Sequence, residues 1–319
     1  MTSIAVEHTL VEEIMIWKKK CNAVILAHNY ELPEIQDIAD VLGDSLALAR
    51  AAAKTDADVI VFCGVHFMAE TAAILNPEKT VLLPDINAGC SLADSITVEQ
   101  LRDWKADHKD AVVVSYVNTS AAVKAESDYC CTSANAVKVV ESIPVDREIL
   151  FLPDVFLGSY VKRVTGRENM HIWLGECHVH AGIAPADVER VLKEHPNAEL
   201  LIHPECGCST SSMYLLSEGI LPKERTHMLS TGGMVQYAQK SASQEFIVAT
   251  ETGIIHQMEK SNPDKKFHAA NRAAICPFMK MITLPKVLKA LKENTHVVTV
   301  PAGIRERAKV PIGRMVAIG

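Results

Sequence analysis

The chain has 319 residues, of which 48% are hydrophobic and 22% charged, and its formal net charge is −7 at pH 7. This composition is ordinary for a globular protein, and the length suggests two or three domains. The acidic balance argues against a nucleic-acid partner, which needs clustered Lys and Arg, but it does not exclude small anionic ligands, since a local pocket can be positive.

The start of the chain, MTSIAVEHTLVEE, has acidic residues where a secretory signal would need a basic segment and an apolar core. No apolar run approaches the ~18 residues of a membrane-spanning helix. We therefore expect a cytoplasmic protein with no membrane partner. The nine cysteines, an odd number without close even spacing, are then expected to be reduced thiols available for a metal or for catalysis.

The predicted elements begin with a helix at residues 8 to 21, where apolar residues recur at helical spacing, with acids early and lysines late. Three similar units follow, each opened by an apolar run: AVILAHNY at 23 to 30, AVVVSYVN at 111 to 118 and AELLIHPE at 198 to 205. The starts of these runs lie 88 and 87 residues apart. A period of this length indicates small repeated domains rather than a stacked solenoid.

Each unit continues with a helical stretch rich in small residues, then a second apolar run, then a third segment that ends in cysteine. The third segments are KTVLLPDINAGC, NMHIWLGEC and KKFHAANRAAIC, which end at Cys90, Cys177 and Cys276. Continuous apolar runs that alternate with helices indicate parallel sheets buried on both faces. The predicted fold class is α/β, with three pseudo-symmetric three-layer αβα domains around a common centre.

The predicted domains follow the repeats. The first comprises residues 1–92 together with 297–319, the second residues 93–179 and the third residues 180–296. The last 24 residues contain a strand-like VVTV and a basic helical stretch, which we expect to complete the first domain. No linker rich in Pro, Gly or Ser separates the units, so we expect them to pack tightly.

Polar residues follow the opening strand of each unit, where open parallel α/β sheets bind their ligands. Alignment of the repeats makes two sets of positions equivalent: His28 with Tyr116 and His203, and Tyr30 with Asn118 and Glu205. Such side chains are costly to bury without partners or a function. Three equivalent strand ends around one centre predict a single shared site.

Hydroxyl residues add to this predicted site. Ser45, Ser133 and Thr231 each lie at or just before the start of a helical stretch. Free N–H groups at a helix N-terminus, together with a hydroxyl, suit a phosphate or a carboxylate. The alternative is that these residues are only helix caps, and their recurrence within a polar cluster favours anion binding.

The three cysteines, one in each unit, can meet only at the centre. Three thiolates would leave one iron of a [4Fe–4S] cluster without a protein ligand, and that iron could act as a Lewis acid. The cysteines could instead be buried small hydrophobic residues, although their polar or glycine-containing loops disfavour this. Zinc is the rival metal, helped by His178 and His180, but Cys-x-x-Cys and His-x-x-x-His spacings are absent.

Several segments together resemble the quinolinate synthase family. They are AHNYELPEIQDIADVLGDSLALA, YVNTSAAVKA, TSANAV, HPEC, STGGM and the three isolated cysteines, over about Ala23 to Pro277. The resemblance implies an enzyme of de novo NAD biosynthesis, with three αβα domains around a [4Fe–4S] cluster. It implies that iminoaspartate condenses with dihydroxyacetone phosphate to give quinolinate, with release of phosphate and water.

The resemblance also implies roles for individual residues. Cys90, Cys177 and Cys276 would hold the cluster, while Tyr30, His203 and Glu205 would form the acid/base set. The residues that would hold the substrate carboxylates and phosphate are His28, Ser45, Tyr116, Asn118, Ser133, His203, Glu205 and Thr231. An L-aspartate oxidase or dehydrogenase is implied as the source of unstable iminoaspartate.

Two alternative functions stay open at this point, a non-catalytic iron–sulfur sensor and a zinc hydrolase. The acid/base set favours an enzyme over a sensor. A dinucleotide or ATP site has little support, because neither G-x-G-x-x-G nor G-x-x-x-x-G-K-[ST] occurs.

Some residues lie outside these motifs. Some members of the family carry a Cys-x-x-Cys near the last cluster ligand, which has been proposed as a redox switch, whereas this chain has only Cys276 there. Cys206 and Cys208 follow the HPE segment directly, and we hypothesise mild redox sensitivity for them, against the alternative of a tolerated pair in a surface loop. The histidines without a motif are interpreted as ordinary: His8, His108, His195, His227, His256 and His296.

Overall fold

The structure, a computed structural model, describes residues 3–318 and contains three four-stranded parallel sheets with helices on both faces. Residues 1, 2 and 319 of the predicted first domain lie outside the described residues. The first sheet and its helices comprise α1 (Ser3–Lys20), β1 (Ala23–His28), α2 (Pro33–Ile38), β2 (Val41–Gly43), α3 (Ser45–Lys54), β3 (Val59–Cys63), α4 (His66–Leu75) and β4 (Thr80–Leu82).

The second unit begins with a 3-10 turn, Ala93–Ser95. It continues with α5 (Val98–Asp107), β5 (Val112–Tyr116), α6 (Ala121–Lys124), β6 (Tyr129–Cys131), α7 (Ala136–Glu141), β7 (Ile149–Leu152), α8 (Val155–Thr165) and β8 (Met170–Ile172).

The third unit comprises α9 (His178–Ala181), α10 (Pro185–Glu194), β9 (Glu199–Ile202), α11 (Ser209–Ser217), β10 (Thr226–Met228), α12 (Thr231–Lys240), β11 (Glu245–Ala249), α13 (Ile254–Ser261) and β12 (Lys266–Ala269). Further 3-10 turns occur at Lys223–Arg225 and Met279–Met281, and the chain closes with α14 (Leu284–Glu293) and α15 (Ala302–Ala317).

The three sheets share one topology, which confirms the predicted fold class. Their strand orders are β2-β1-β3-β4, β6-β5-β7-β8 and β10-β9-β11-β12. The registers also correspond, since Val24 pairs with Ile60, Val112 with Ile149, and Glu199 with Phe246. In each sheet the strand order reverses direction between the first and third strands, and this is where open α/β sheets bind ligands, at the carboxyl ends of the strands.

The sheets are held together by a shared apolar core. The opening strands are buried on both faces, as Ile25 and Leu26 show with 0% exposure. The largest apolar cluster contains Leu26 of the first sheet, Val114 of the second and Val248 of the third. The three units therefore bury side chains against one another.

The helix that follows each cysteine packs on the next sheet around a ring. Leu101 of α5 lies in a cluster with Val113 and Leu150 of the second sheet. Helix α10 lies in the same way against β11 of the third sheet, and α14 lies against β3 of the first sheet and against α1. By sequence α14 falls in the predicted third domain, residues 180–296, but its packing closes the ring onto the first sheet.

The C-terminal segment departs from the prediction. VVTV forms no strand, and Val297 makes only an isolated antiparallel bridge with Leu82 at the end of β4. Helix α15 then packs mainly against β6 and α6 of the second unit and also against α4 of the first. Its contacts are thus divided between two units, and its assignment to the first domain stays a prediction.

Side chains of two units anchor the end of α15. Asn135 Nδ2 donates to the Met315 carbonyl at 2.9 Å, and Arg50 Nη2 donates to the Val316 carbonyl at 2.9 Å. The apolar side of the helix, with Ala308, Ile312 and Met315, is fully buried. Among the described helices, none is both long enough and apolar enough to span a membrane.

We predict that Leu291→Ala lowers the free energy of unfolding by about 2–5 kcal/mol, because it leaves a cavity where α14 closes the ring. Leu291 is 3% exposed, whereas Val145, the control position, is 80% exposed. Val145→Ala should change stability by no more than about 0.5 kcal/mol. Urea denaturation of both variants measures this, and equal stabilities would contradict a closing role for α14.

Candidate active site

One cavity lies among the three sheets, at the carboxyl ends of their strands. Every residue that the sequence analysis selected for the site lines this cavity, although the residues come from three units. They are His28, Tyr30, Ser45, Cys90, Tyr116, Asn118, Ser133, Cys177, His203, Glu205, Thr231 and Cys276. The structure thus brings the whole predicted set together.

Two equivalent histidines have the same backbone contact. His28 Nδ1 accepts the N–H of Tyr30 at 3.2 Å, and His203 Nδ1 accepts the N–H of Glu205 at 3.4 Å. A neutral imidazole that accepts at Nδ1 carries its proton on Nε2. His203 Nε2 accordingly donates to Ser133 Oγ at 3.2 Å. Both rings are therefore set to donate a hydrogen bond from Nε2.

Burial keeps the imidazoles of the cavity neutral. It lowers the pKa of His28 to about 3, with help from the charge of Lys280, and lowers the pKa of His180 to about 4. The pKa of His203 is also well below its ordinary value because the ring is buried. At neutral pH these rings are hydrogen-bonding groups without charge.

Glu205 is the buried carboxyl group at the centre of the cluster. Its Oε1 accepts a hydrogen bond from the hydroxyl group of Tyr116. Its Oε2 lies 3.5 Å from His180 Nδ1. Burial raises the pKa of Glu205 well above its ordinary value, and the neighbouring Asp154 raises it further. Glu205 is thus favoured in the protonated form, which can donate a proton.

Tyr30 is connected to Glu205 through two residues that were not in the predicted set. The hydroxyl of Tyr30 lies 2.5 Å from Thr250 Oγ1, and Thr250 Oγ1 lies 2.9 Å from His180 Nε2. His180 stacks on His203, with ring centroids 5.0 Å apart. The sequence offered one indication that His180 belongs to the site, its position three residues after Cys177. It offered no such indication for Thr250.

The three cysteines lie in matching turns. Each precedes a short helix or 3-10 turn, and the backbone N–H groups of the second and third residues that follow act to lower the pKa of the thiol. These residues are Leu92 and Ala93 for Cys90, Val179 and His180 for Cys177, and Phe278 and Met279 for Cys276. N–H groups in these positions favour the thiolate, which is the form that binds a metal centre.

Burial raises the pKa of all three thiols, that of Cys90 to about 12. Metal binding would remove these protons. In the described residues the three sulfurs are not all within 4.8 Å of one another, whereas one zinc ion holds its thiolates about 3.8 Å apart. The thiols would therefore have to move closer together to share one zinc ion.

Two helix N-termini meet at one side of the cavity. Ser45 begins α3 and Thr231 begins α12, while Ser133 lies in the turn before α7. Ser230 Oγ donates to Asp44 Oδ2 at 3.3 Å, which joins the two helix starts. A Cβ at Gly232 would lie 2.6 Å from the same oxygen, so this close approach requires glycine. Helix N-termini favour bound anions.

The cavity has no cationic side chain of its own. Its lining, all within residues 28–279, includes neither Lys nor Arg. Lys280 lies just outside, where it pairs with Glu251 Oε1 at 2.9 Å and donates to the carbonyl of Tyr30. Asn118 Oδ1, which is buried, has no hydrogen-bond partner in the described structure and is available to a ligand.

Cys206 and Cys208 form a disulfide directly after Glu205, and both are fully buried. The alternative of a pair in a surface loop is therefore wrong, and the expectation of nine reduced thiols is wrong for these two cysteines. Redox sensitivity of this pair stays a prediction.

Comparison with known proteins places these features in context. Residues 12–317 match the family described as quinolinate synthetase A protein. The chain is 57% identical to quinolinate synthase of Mycobacterium sp. (strain KMS) over 96% of this chain and 91% of the relative. It is 57% identical to quinolinate synthase of Mycobacterium tuberculosis (strain ATCC 25618 / H37Rv), over 93% of this chain and 85% of the relative.

We predict that the contribution of His28 to folding stability falls as pH decreases from about 6.5, the ordinary pKa of histidine, toward about 3, the folded pKa of His28. The unfolded chain binds a proton that the buried ring does not, so stability is complete above pH 6.5 and is lost below it. His28→Asn should make this slope shallower by about 1.4 kcal/mol per pH unit. Denaturation curves at pH 4, 5 and 6 measure the slope.

The matched control is His8→Asn, since the side chain of His8 is 76% exposed. This variant should keep the wild-type slope. A slope that is the same for wild type and His28→Asn would show that His28 is not held neutral in the folded protein.

Proposed function

The chain belongs to the quinolinate synthetase A family and is an enzyme of that kind, and we propose that it condenses iminoaspartate with dihydroxyacetone phosphate to quinolinate, releasing phosphate and water. The observation that carries the proposal is the cavity itself. It combines one thiol from each of three repeats with buried imidazole, phenol and carboxyl groups.

We propose that Cys90, Cys177 and Cys276 hold a [4Fe–4S] cluster. The support is the matching turn at each thiol, in which backbone N–H groups favour the thiolate, and sulfurs that are not all within 4.8 Å of one another. When bound, such a cluster supplies one iron without a protein ligand, a Lewis acid for a substrate oxygen or nitrogen. Membership of the quinolinate synthetase A family argues against both a zinc hydrolase and a non-catalytic sensor.

Neutral donors would bind the anionic substrates, which carry carboxylates and a phosphate. The Nε2–H groups of His28 and His203 can each donate to a carboxylate oxygen, and Ser133 lies beside His203 Nε2. The starts of α3 and α12, with Ser45 and Thr231, suit the phosphate. Tyr116 and Asn118 would complete the set from the second unit.

Proton transfer would run along a chain of four side chains. Glu205, His180, Thr250 and Tyr30 follow one another at 3.5, 2.9 and 2.5 Å. Loss of water from a carbon skeleton needs one group to take a proton and another to protonate the leaving hydroxyl. The chain lets Glu205 donate a proton and recover one through His180. His203 would act beside it as an N–H donor from Nε2.

Iminoaspartate is an imine of a ketoacid and hydrolyses readily, so its supply requires an enzyme that oxidises the amine of L-aspartate. An L-aspartate oxidase or dehydrogenase meets this requirement. A cytoplasmic location would keep the proposed cluster thiols reduced.

We predict that anaerobically purified protein forms quinolinate only when freshly generated iminoaspartate and dihydroxyacetone phosphate are both present. Cys90→Ser should abolish product, because one ligand of the proposed cluster is lost. Cys21→Ser is the matched control, since Cys21 does not line the cavity, and should retain activity. Absence of product from wild-type protein with full iron and sulfide would refute the proposed reaction.

We predict that Glu205→Gln lowers kcat by about 10²–10⁴-fold, since a carboxamide accepts Tyr116 but transfers no proton. Iron and sulfide content should equal that of the wild type. Glu99→Gln, at an exposed position on α5, controls for the loss of a carboxylate. A kcat within twofold of wild type would remove Glu205 from the proton-transfer chain.

A further inference from the structure

Two clusters of side chains outside the cavity have the same composition. We call them the outer triads: His108 with Glu148 and His171, and His195 with Glu245 and His268. In each, one histidine follows the helix that precedes the opening strand, the glutamate lies at the amino end of the third strand, and the other histidine lies in the fourth strand. The glutamates are thus at the opposite end of the sheet from the cavity.

Each carboxylate is held by two imidazoles. Glu148 Oε1 lies 2.9 Å from His108 Nδ1 and 2.6 Å from His171 Nε2. Glu245 Oε1 lies 2.9 Å from His195 Nδ1 and 2.9 Å from His268 Nε2. The paired rings lie 4.5 Å apart in the first triad and 3.7 Å apart in the second. Three potential ligand atoms therefore converge at one point in each triad.

The sheet registers show that the two triads are equivalent. Glu148 directly precedes Ile149, the partner of Val112, and Glu245 directly precedes Phe246, the partner of Glu199. The second histidine of each triad pairs with the residue two positions beyond the glutamate.

In the first sheet the positions equivalent to this glutamate and histidine hold Val59 and Leu82. The second and third units therefore share this arrangement, and the first unit has apolar residues at these two positions.

We propose that each outer triad binds one divalent transition-metal ion, with Zn²⁺ as the best match. Two imidazole nitrogens and one carboxylate oxygen are a ligand set that proteins use for Zn²⁺ with an open fourth position. Ligand atoms around tetrahedral Zn²⁺ lie about 3.4 Å apart, so side-chain rotations that separate the present contacts by less than about 1 Å would admit the ion.

The exposure of the triad side chains and the ion pairs of their glutamates are also compatible with a bound metal ion. The side chains are between 23% and 45% exposed, which leaves room for a water as the fourth ligand. In the described part of the chain, neither glutamate pairs with a Lys or Arg that would have to be displaced. The second triad opens onto a groove lined by His195 and His268. A bound ion would tie the end of α5 or α10 to two strands of the sheet behind it.

Binding stoichiometry tests the proposal with Zn²⁺ alone as the probe. Protein purified anaerobically and stripped with EDTA is equilibrated with Zn²⁺, and bound zinc per chain is measured after gel filtration. Zinc at cysteines is common to all variants and cancels in the differences. Glu148→Gln and Glu245→Gln should each bind one equivalent less than wild type, and the double variant two less.

Glu199→Gln is the matched control, because Glu199 contacts only one histidine, His227, at 3.1 Å. It should bind as much zinc as wild type. His171→Asn and His268→Asn, each on an edge strand, give a second test if a glutamate variant folds poorly, and each should also lose one equivalent. Equal stoichiometry in wild type and the double variant would overturn the proposal.

Crystals soaked in Zn²⁺ locate the ions directly. Anomalous scattering at the zinc edge should give one peak among the three side chains of each outer triad. Peaks at the cysteines only, with none at the triads, would overturn the proposal even if the stoichiometry fell.

Discussion

Each repeat contributes one thiol to the central cavity, so no repeat can form the proposed metal centre alone. The three sheets must therefore be held with the carboxyl ends of their strands facing one point, and the helices do this. Each helix that follows a cysteine packs on the next sheet, and α14 closes the ring against β3 and α1. The turn that places a sulfur thus leads directly into the helix that fixes the neighbouring unit. The position of each thiol and the packing of the neighbouring unit therefore depend on the same segment of the chain.

The electrostatics of the cavity follow from its burial. Desolvation favours neutral forms, so the pKa values of His28, His180 and His203 are lowered and that of Glu205 is raised. A site of this kind binds anions through N–H and O–H donors rather than through cationic side chains. It also keeps a proton on Glu205 at a pH where an exposed carboxyl would have lost it. The lining contains neither Lys nor Arg, so cationic side chains of the cavity do not offset the charge of a bound anion.

Local patterns in the sequence were sufficient to predict much of this molecule. The opening strands, the helix starts at Ser45 and Thr231 and the three cysteines follow from apolar periodicity and from the repeat. Other features depend on contacts between distant residues, which periodicity does not encode. VVTV has strand-like composition but contacts only the end of β4, through an isolated bridge from Val297 to Leu82. Thr250 follows an apolar strand without any motif. His108 and His195 of the outer triads were interpreted as ordinary, and the glutamates that they contact lie 40 and 50 residues away in sequence.

Pseudo-symmetry provides three equivalent positions, and the residues at those positions make the site asymmetric. One set holds His28, Tyr116 and His203, so two of the three equivalent positions have an imidazole and the other has a phenol. The other holds Tyr30, Asn118 and Glu205, in which only the first and last can exchange protons. A threefold set of identical groups would treat all parts of a ligand alike. The proposed reaction joins two different anions and removes phosphate and water from defined atoms, so it requires different groups on each side. In the proposed mechanism the first and third units would supply the ends of the proton-transfer chain, while the second unit would supply Tyr116 and Asn118 for positioning.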